Sequence, residues 1–151
     1  MQGLRLNLIQ QPCVLNGTWK RKKALDINLP DVVTEMEAAF ARYETALVSN
    51  DIAGLDALFW DSPLTIRYGG GENLYGIDAI RAFRAGRPAA GLMRWLERTV
   101  ITTYGRDFAT ASTLFYRDSA AGKVGRQMQT WVRTPEGWRV VAASVSVIAE
   151  G

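Results

Sequence analysis

The side chains this sequence lacks narrow its chemistry first. Its 151 residues include no histidine and one cysteine, Cys13. That excludes Ser-His-Asp and Cys-His nucleophilic sites, histidine-based zinc sites and thiolate metal clusters. No metal or cofactor is expected. Proton transfer and ligand binding fall to Tyr, Arg, Ser, Thr, Asn, Gln and the carboxylates. Tyr43 shares a helical stripe with Met36, Phe40 and Leu47, so its ring should face the core and its hydroxyl should need a polar partner there. A plainer role is a core tyrosine bonded to a backbone carbonyl. Arg67 sits between Ile66 and Tyr68 in a strand-like run, an awkward place for a charge unless it meets a polar site or solvent. A guanidinium fork suits a carboxylate ligand held through two bonds, and Glu72 is the nearby alternative partner.

Further polar candidates lie on the β-rich C-terminal half. Strict alternation puts Trp138, Val140, Ala142, Ser144 and Ser146 on one face of the last strand, and Arg139, Val141, Ala143, Val145 and Val147 on the other. Arg126, Met128 and Thr130 alternate with Gln127, Gln129 and Trp131, and the pattern leaves open which set faces inward. Ser144, Ser146, Gln129, Arg126 and Asn73 form the expected substrate-binding set. Arg81, Arg84 and Arg87 would either greet an anion at a pocket mouth or form a solvated face.

These residues need elements to hold them. From Asp31, apolar residues recur at Val33, Met36, Ala39, Phe40, Tyr43 and Leu47, the spacing of an amphipathic helix. Pro30 suits its first turn, and Asp31 suits the positive helix end. Asp51 is a plausible N-cap for a second, shorter helix through Leu55, Leu58 and Phe59, which Pro63 ends. Leu64 to Tyr68 reads as a short strand, the glycines from Gly69 to Gly71 as a turn, and Gly76 to Phe83 as a third helix. The glycine run has no Gly-Lys-Ser/Thr after it, so it is not a phosphate-binding loop. Four β-rich segments follow, Arg98 to Tyr104, Phe108 to Arg117, Arg126 to Thr134 and Trp138 to Ile148, separated by turn signals. Successive hairpins join them most economically. Helices first and hairpins after predict an α+β domain, with helices packed on one face of a mostly antiparallel sheet.

The formal charge of +3 is unevenly distributed. Arg5, Lys20, Arg21, Lys22 and Lys23 precede the first acid, Asp26; the other 13 basic residues face all 15 acids, a net −2 from Asp26 onward. Residues 1–25 therefore read as a basic leader and 26–151 as the domain. The leader lacks a reading helix and interleaved aromatics beyond Trp19, so no nucleic-acid partner is expected. Met1 to Leu15 has no apolar core of a secretory signal, and no segment approaches a membrane span. A soluble, cytoplasmic protein with no membrane partner is the expectation.

The segments FARYETAL (Phe40 to Leu47), Leu58 to Trp60, TIRY (Thr65 to Tyr68), ENLYGIDAIRAFR (Glu72 to Arg84) and GRQMQTWVRTPEGWRVVAASV (Gly125 to Val145) together resemble the AtzH-like family of the nuclear transport factor 2-like, SnoaL-like or cystatin-like superfamily. The resemblance spans Asp26 to Ile148. It implies a cone-shaped α+β barrel that forms homodimers through its sheet. It also implies a metal-independent decarboxylating amidohydrolase of cyanuric acid and s-triazine breakdown, converting the small anionic substrate 1,3-dicarboxyurea to allophanate. The tyrosine and arginine of that site match Tyr43 and Arg67. Relatives commonly carry histidine at the position of Ser144, so any proton transfer by that histidine needs another donor here. Without catalysis, the same fold would serve to bind an acidic metabolite or to dimerise.

Overall fold

The computed structural model describes residues 24–151. The readings of Cys13 and of the basic cluster Lys20 to Lys23 lie outside the described residues. Helix α1 (Pro30–Val48) is followed by α2 (Ile52–Leu58), β1 (Ile66–Tyr68), β2 (Asn73–Tyr75), α3 (Ile77–Gly86), and four long strands: β3 (Trp95–Tyr104), β4 (Phe108–Tyr116), β5 (Lys123–Thr134) and β6 (Gly137–Ala149). The order across the sheet is β2-β1-β6-β5-β4-β3.

Helix α1 forms where its stripe requires. Pro30 occupies the first turn, Asp31 follows it, and Val32, Met36, Ala39, Phe40, Tyr43, Ala46 and Leu47 are buried. Its first inward residue is thus Val32, with Val33 half-buried. The stripe packs on Trp131 and Val140 of the sheet, with Phe59 beside them. Asp51 caps α2 as expected, accepting from the Gly54 backbone N–H at 2.9 Å. The helix stops at Leu58 because the chain turns extended: Phe59 bridges Val140, and the Trp60 N–H donates to the Val140 carbonyl at 2.9 Å.

Three features depart from the expected hairpin series. First, β1 runs parallel to β6, pairing Arg67 with Ala143, so the sheet is mixed although mostly antiparallel. A parallel neighbour needs a long crossover rather than a tight turn, and local pattern carries no signal of it. Second, Asn73–Tyr75 is a strand, paired antiparallel to β1 across the glycine turn. Third, β2 and β3 remain as edges, so the sheet is open and does not close into a barrel.

A β-bulge in β6 decides which side chains face the helices. Thr130 pairs with Ala142 but Trp131 pairs with Val140, leaving Val141 as an extra residue. An extra residue shifts the period-two alternation by one. Trp138 and Val140 are buried on the helix side, and beyond the bulge that side is taken by Ala143 and Val145. The expected face joining Trp138 to Ser144 and Ser146 is therefore broken in the middle.

Gly125 pairs with Phe115, whose ring lies over its backbone: a β-carbon on Gly125 would stand 2.1 Å from Phe115 Cζ. Phe115 is buried, so the ring has little room to yield. Gly125→Ala should lower stability by about 1–3 kcal/mol through overpacking, read as a Tm drop of about 3–10 °C. An unchanged Tm would mean that the ring moves aside freely.

Candidate functional site

Between the helices and the sheet lies a cavity of about 230 Å³. This is below the roughly 300–1,000 Å³ of pockets for drug-sized ligands, so it fits a small metabolite. Its apolar wall includes Leu47, Leu55, Phe83, Leu92, Phe115 and Val145, and its polar groups are Tyr43, Glu72, Gln127 and five arginines.

Tyr43 reaches the cavity from α1, its ring held 6.3 Å, centroid to centroid, from each of Phe40, Phe59 and Trp131, the last edge-on. Its hydroxyl has no backbone carbonyl partner among the described residues. The nearest acceptor is Gln127 Oε1 at 3.5 Å, far beyond the usual 2.7–2.8 Å or so of a hydroxyl bond. The phenol is therefore fixed in position but free to bond a ligand.

Arg67 enters the same cavity from β1. Its Nη1 donates to Glu72 Oε1 at 2.5 Å, and its guanidinium lies 5.2 Å from the centre of the Phe83 ring. The two roles weighed for Arg67 are thus combined: it is paired, and it borders the cavity. Glu72 engages only one nitrogen, leaving Nε and Nη2 without a protein partner among the described residues. Glu72 also accepts from the Gly71 N–H at 3.2 Å and folds back so far that a β-carbon on Gly69 would collide with it. The glycine turn therefore shapes the arginine's surroundings.

Three further polar groups lie outside the expected binding set, although the alternation left open that Gln127 faces inward. Arg94, just before β3, donates from Nε and Nη2 to the two Glu44 oxygens at 2.6 and 2.7 Å, and from Nη2 to Gln127 Oε1 at 3.0 Å. Gln127 Nε2 is buried without a partner among the described residues. Arg117, at the end of β4, lies 4.9 Å from the Phe115 ring centre. Gln127 and Arg117 were legible in principle, since each lies on its strand's alternation with a buried residue, Trp131 and Phe115. Arg94 sits in a loop and carries no such signal.

Arg84 and Arg87 also line the cavity, whereas half-buried Arg81 turns outward to Asp61 at 3.2 Å and Asp78 at 3.7 Å. Arg84 is fully enclosed, bonded to Asp56 at 2.7 Å and stacked 4.1 Å from the centre of the Phe59 ring. Burial pulls its guanidinium below the ordinary value, and the Asp56 hydrogen bond opposes that pull. Burial likewise lowers Arg87 and Arg117, reinforced by the charge of Arg67 on the first and of Arg94 on the second. All remain charged at neutral pH, since arginine starts so high.

The expected substrate-binding set does not assemble here. Ser144 pairs with Met128 and borders a shallow outer patch with Tyr68. Ser146 accepts from Arg126 Nε at 3.0 Å, away from the cavity. The Val141 bulge is the reason, because it turns both serines to the outer face. Their neighbours Val145 and Gln127 line the cavity instead. Asn73 is exposed opposite Tyr68. Gln129 is buried but does not reach the cavity; its Oε1 accepts from Trp131 Nε1 at 3.1 Å. Among the described residues, no group of three or more His, Cys, Asp or Glu is arranged to hold a metal ion, and no helix is long and apolar enough to cross a membrane.

Residues 25–151 match the AtzH-like family profile. The chain belongs to the AtzH-like family. A crystal structure of a protein of unknown function from the DUF3225 family of Pectobacterium atrosepticum SCRI1043 is 61% identical, covers 82% of this chain and 96% of its own, and superposes with a TM-score of 0.80. A cystatin-like fold protein from Burkholderia xenovorans LB400 is 50% identical, covers 85% of this chain and 100% of its own, with a TM-score of 0.81. A more distant NTF2-like protein with a cystatin-like fold from Novosphingobium aromaticivorans, 24% identical over 80% of this chain and 84% of its own, superposes with a TM-score of 0.60 and shares the fold. None of the curated proteins matches the chain. This AtzH-like chain thus has the NTF2-like, cystatin-like architecture, with helices on an open mixed sheet.

Arg94 and Glu44 form a two-bond ion pair that also holds Gln127 Oε1. Arg94→Met leaves that carboxylate alone, and should cost about 3 kcal/mol in urea unfolding, the low end for a buried pair because Glu44 is partly solvated. Adding Glu44→Met should restore more than half of the loss; no restoration would show that packing, not charge, sets the cost.

Proposed function

We propose that this protein is a decarboxylating amidohydrolase acting on a small ureido dicarboxylate, with 1,3-dicarboxyurea as substrate and allophanate as product. The observation that carries the proposal is the shared cavity: the uncommitted Tyr43 hydroxyl and the open edge of Arg67 border one small, cationic space. Membership of the AtzH-like family supports it.

The chemistry asks little of the protein. In the dianionic substrate one terminal C–N bond breaks, carbon dioxide leaves, and the electron pair stays on nitrogen. That nitrogen takes one proton, so a dianion and a proton become the allophanate monoanion and carbon dioxide. Arg67 holds the carboxylate that is retained, through Nε and Nη2. Tyr43 donates its phenolic proton to the departing nitrogen and recovers it from water. The surrounding guanidinium groups favour the transient phenolate, since nearby positive charge stabilises an anionic oxygen. Arg84 is one of these, close enough that the two groups interact electrostatically. Ser144 is not needed as a relay, since it lies on the other side of the sheet. Fixed positioning by the aromatic cage around Tyr43 does the rest.

Purified protein given freshly generated 1,3-dicarboxyurea should release carbon dioxide well above the buffer rate. Tyr43→Phe should lower kcat by about 100-fold or more, the contribution of a positioned general acid. Arg67→Lys should lower kcat/KM by about 10- to 100-fold, the loss of a charge-assisted two-bond contact. Equal product from wild type, both variants and buffer would refute catalysis and leave the protein a binder of acidic metabolites.

A further inference from the structure

Three of the five cavity arginines are matched by a carboxylate: Arg67 by Glu72, Arg84 by Asp56 and Arg94 by Glu44. Arg87 and Arg117 are not. Neither side chain makes a hydrogen bond or ion pair with any described residue, although both line the cavity. Nε and Nη2 of Arg87 and Nε of Arg117 are shut off from solvent with no acceptor, and Gln127 Nε2 beside them is a fourth such donor.

Unmatched buried donors are unfavourable in a folded protein and normally absent. The two arginines arrive from unrelated segments, one after α3 and one after β4, and the cavity carries two positive charges without an ion-pair partner among the described residues. They also repel: the charge of Arg117 is among the causes that depress Arg87. Such an arrangement persists where a ligand completes it, and function rather than stability then explains it.

We infer that Arg87 and Arg117, assisted by Gln127 Nε2, form a second anion clamp in this cavity, so that the site takes a compact ligand with two separated negative charges and discriminates against monoanions. The inference rests on reading the cavity as the substrate site, and it deepens that reading. Arg67 holds the retained carboxylate, and the Arg87 and Arg117 pair holds the carboxylate that departs. Departure as neutral carbon dioxide removes one of the two charges that the clamp matches, so the product monoanion binds less tightly than the substrate.

Glutarate has the same five-atom chain between carboxylate oxygens as dicarboxyurea and does not decarboxylate. Its monoamide is the matched monoanion, and inorganic phosphate is a single-centre dianion. By calorimetric titration, the wild type should bind glutarate at least about 10-fold more tightly than the monoamide or phosphate, as expected for one additional charge-assisted contact. Arg87→Gln and Arg117→Gln should each bring the glutarate-to-monoamide ratio to within about threefold of unity, and Arg87→Lys should keep part of the preference. Without ligand, the two Gln variants should melt no lower than wild type, because each loses an uncompensated charge.

A preference unchanged in both variants, phosphate binding as tight as glutarate, or a large fall in the ligand-free Tm would each overturn the clamp. Turnover separates this inference from the proposed reaction. Dicarboxyurea consumed equally well by both Gln variants would sink the clamp and leave the reaction standing. A glutarate preference present in the wild type and lost in both Gln variants, in a protein that never turns over dicarboxyurea, would sustain the clamp and remove the reaction.

Discussion

Enclosing five guanidinium groups around about 230 Å³ is the constraint to which the rest of this structure answers. Like charges at such range repel strongly in a poorly solvated space. The fold meets this in two ways. Glu72, Asp56 and Glu44 are supplied by the glycine turn, α2 and α1, one to each of three arginines. Aromatic faces then take up part of the rest: Phe83 under Arg67, Phe59 under Arg84, and Phe115 under both Arg94 and Arg117. What remains uncompensated is a charge pattern suited to a dianion.

The sheet supplies the geometry. Phe115 fits beneath two arginines because its strand partner is Gly125, where any larger residue would fill the space of the ring. The Val141 bulge keeps Trp138 and Val140 in the core yet brings Val145 to the cavity wall. One inserted residue thus joins a packing surface to a binding surface on the same strand. The parallel pairing of β1 with β6 sets Arg67 beside Ala143, a small residue that leaves room for the guanidinium to enter.

Much of this was legible in the sequence, and the rest was hidden for identifiable reasons. Helical periodicity located α1 and aimed Tyr43 inward, and Asp51 and the glycine run marked real local geometry. Alternation located the long strands to within a few residues. It misassigned Ser144 and Ser146, because a bulge changes phase without changing composition. Arg126 followed them to the outer face. Asn73 lies on a short edge strand whose orientation depends on a parallel crossover, a long-range pairing that no local window records. Arg94 was missed since its position depends on a loop meeting Glu44, 50 residues away. In sequence Arg87 reads with Arg81 and Arg84 as either a pocket mouth or a solvated face, Arg117 looks like an ordinary surface arginine, and what distinguishes the two is buried guanidinium nitrogens without an acceptor.

The most direct measurement is a crystal structure of the protein soaked with glutarate. The account predicts one carboxylate within about 3.2 Å of Arg67 Nε and Nη2, the other at similar distance from Arg87 and Arg117, and the Tyr43 hydroxyl facing the chain between them. Glutarate bound only outside the cavity, or Arg87 and Arg117 both turned to solvent with the ligand in place, would contradict it.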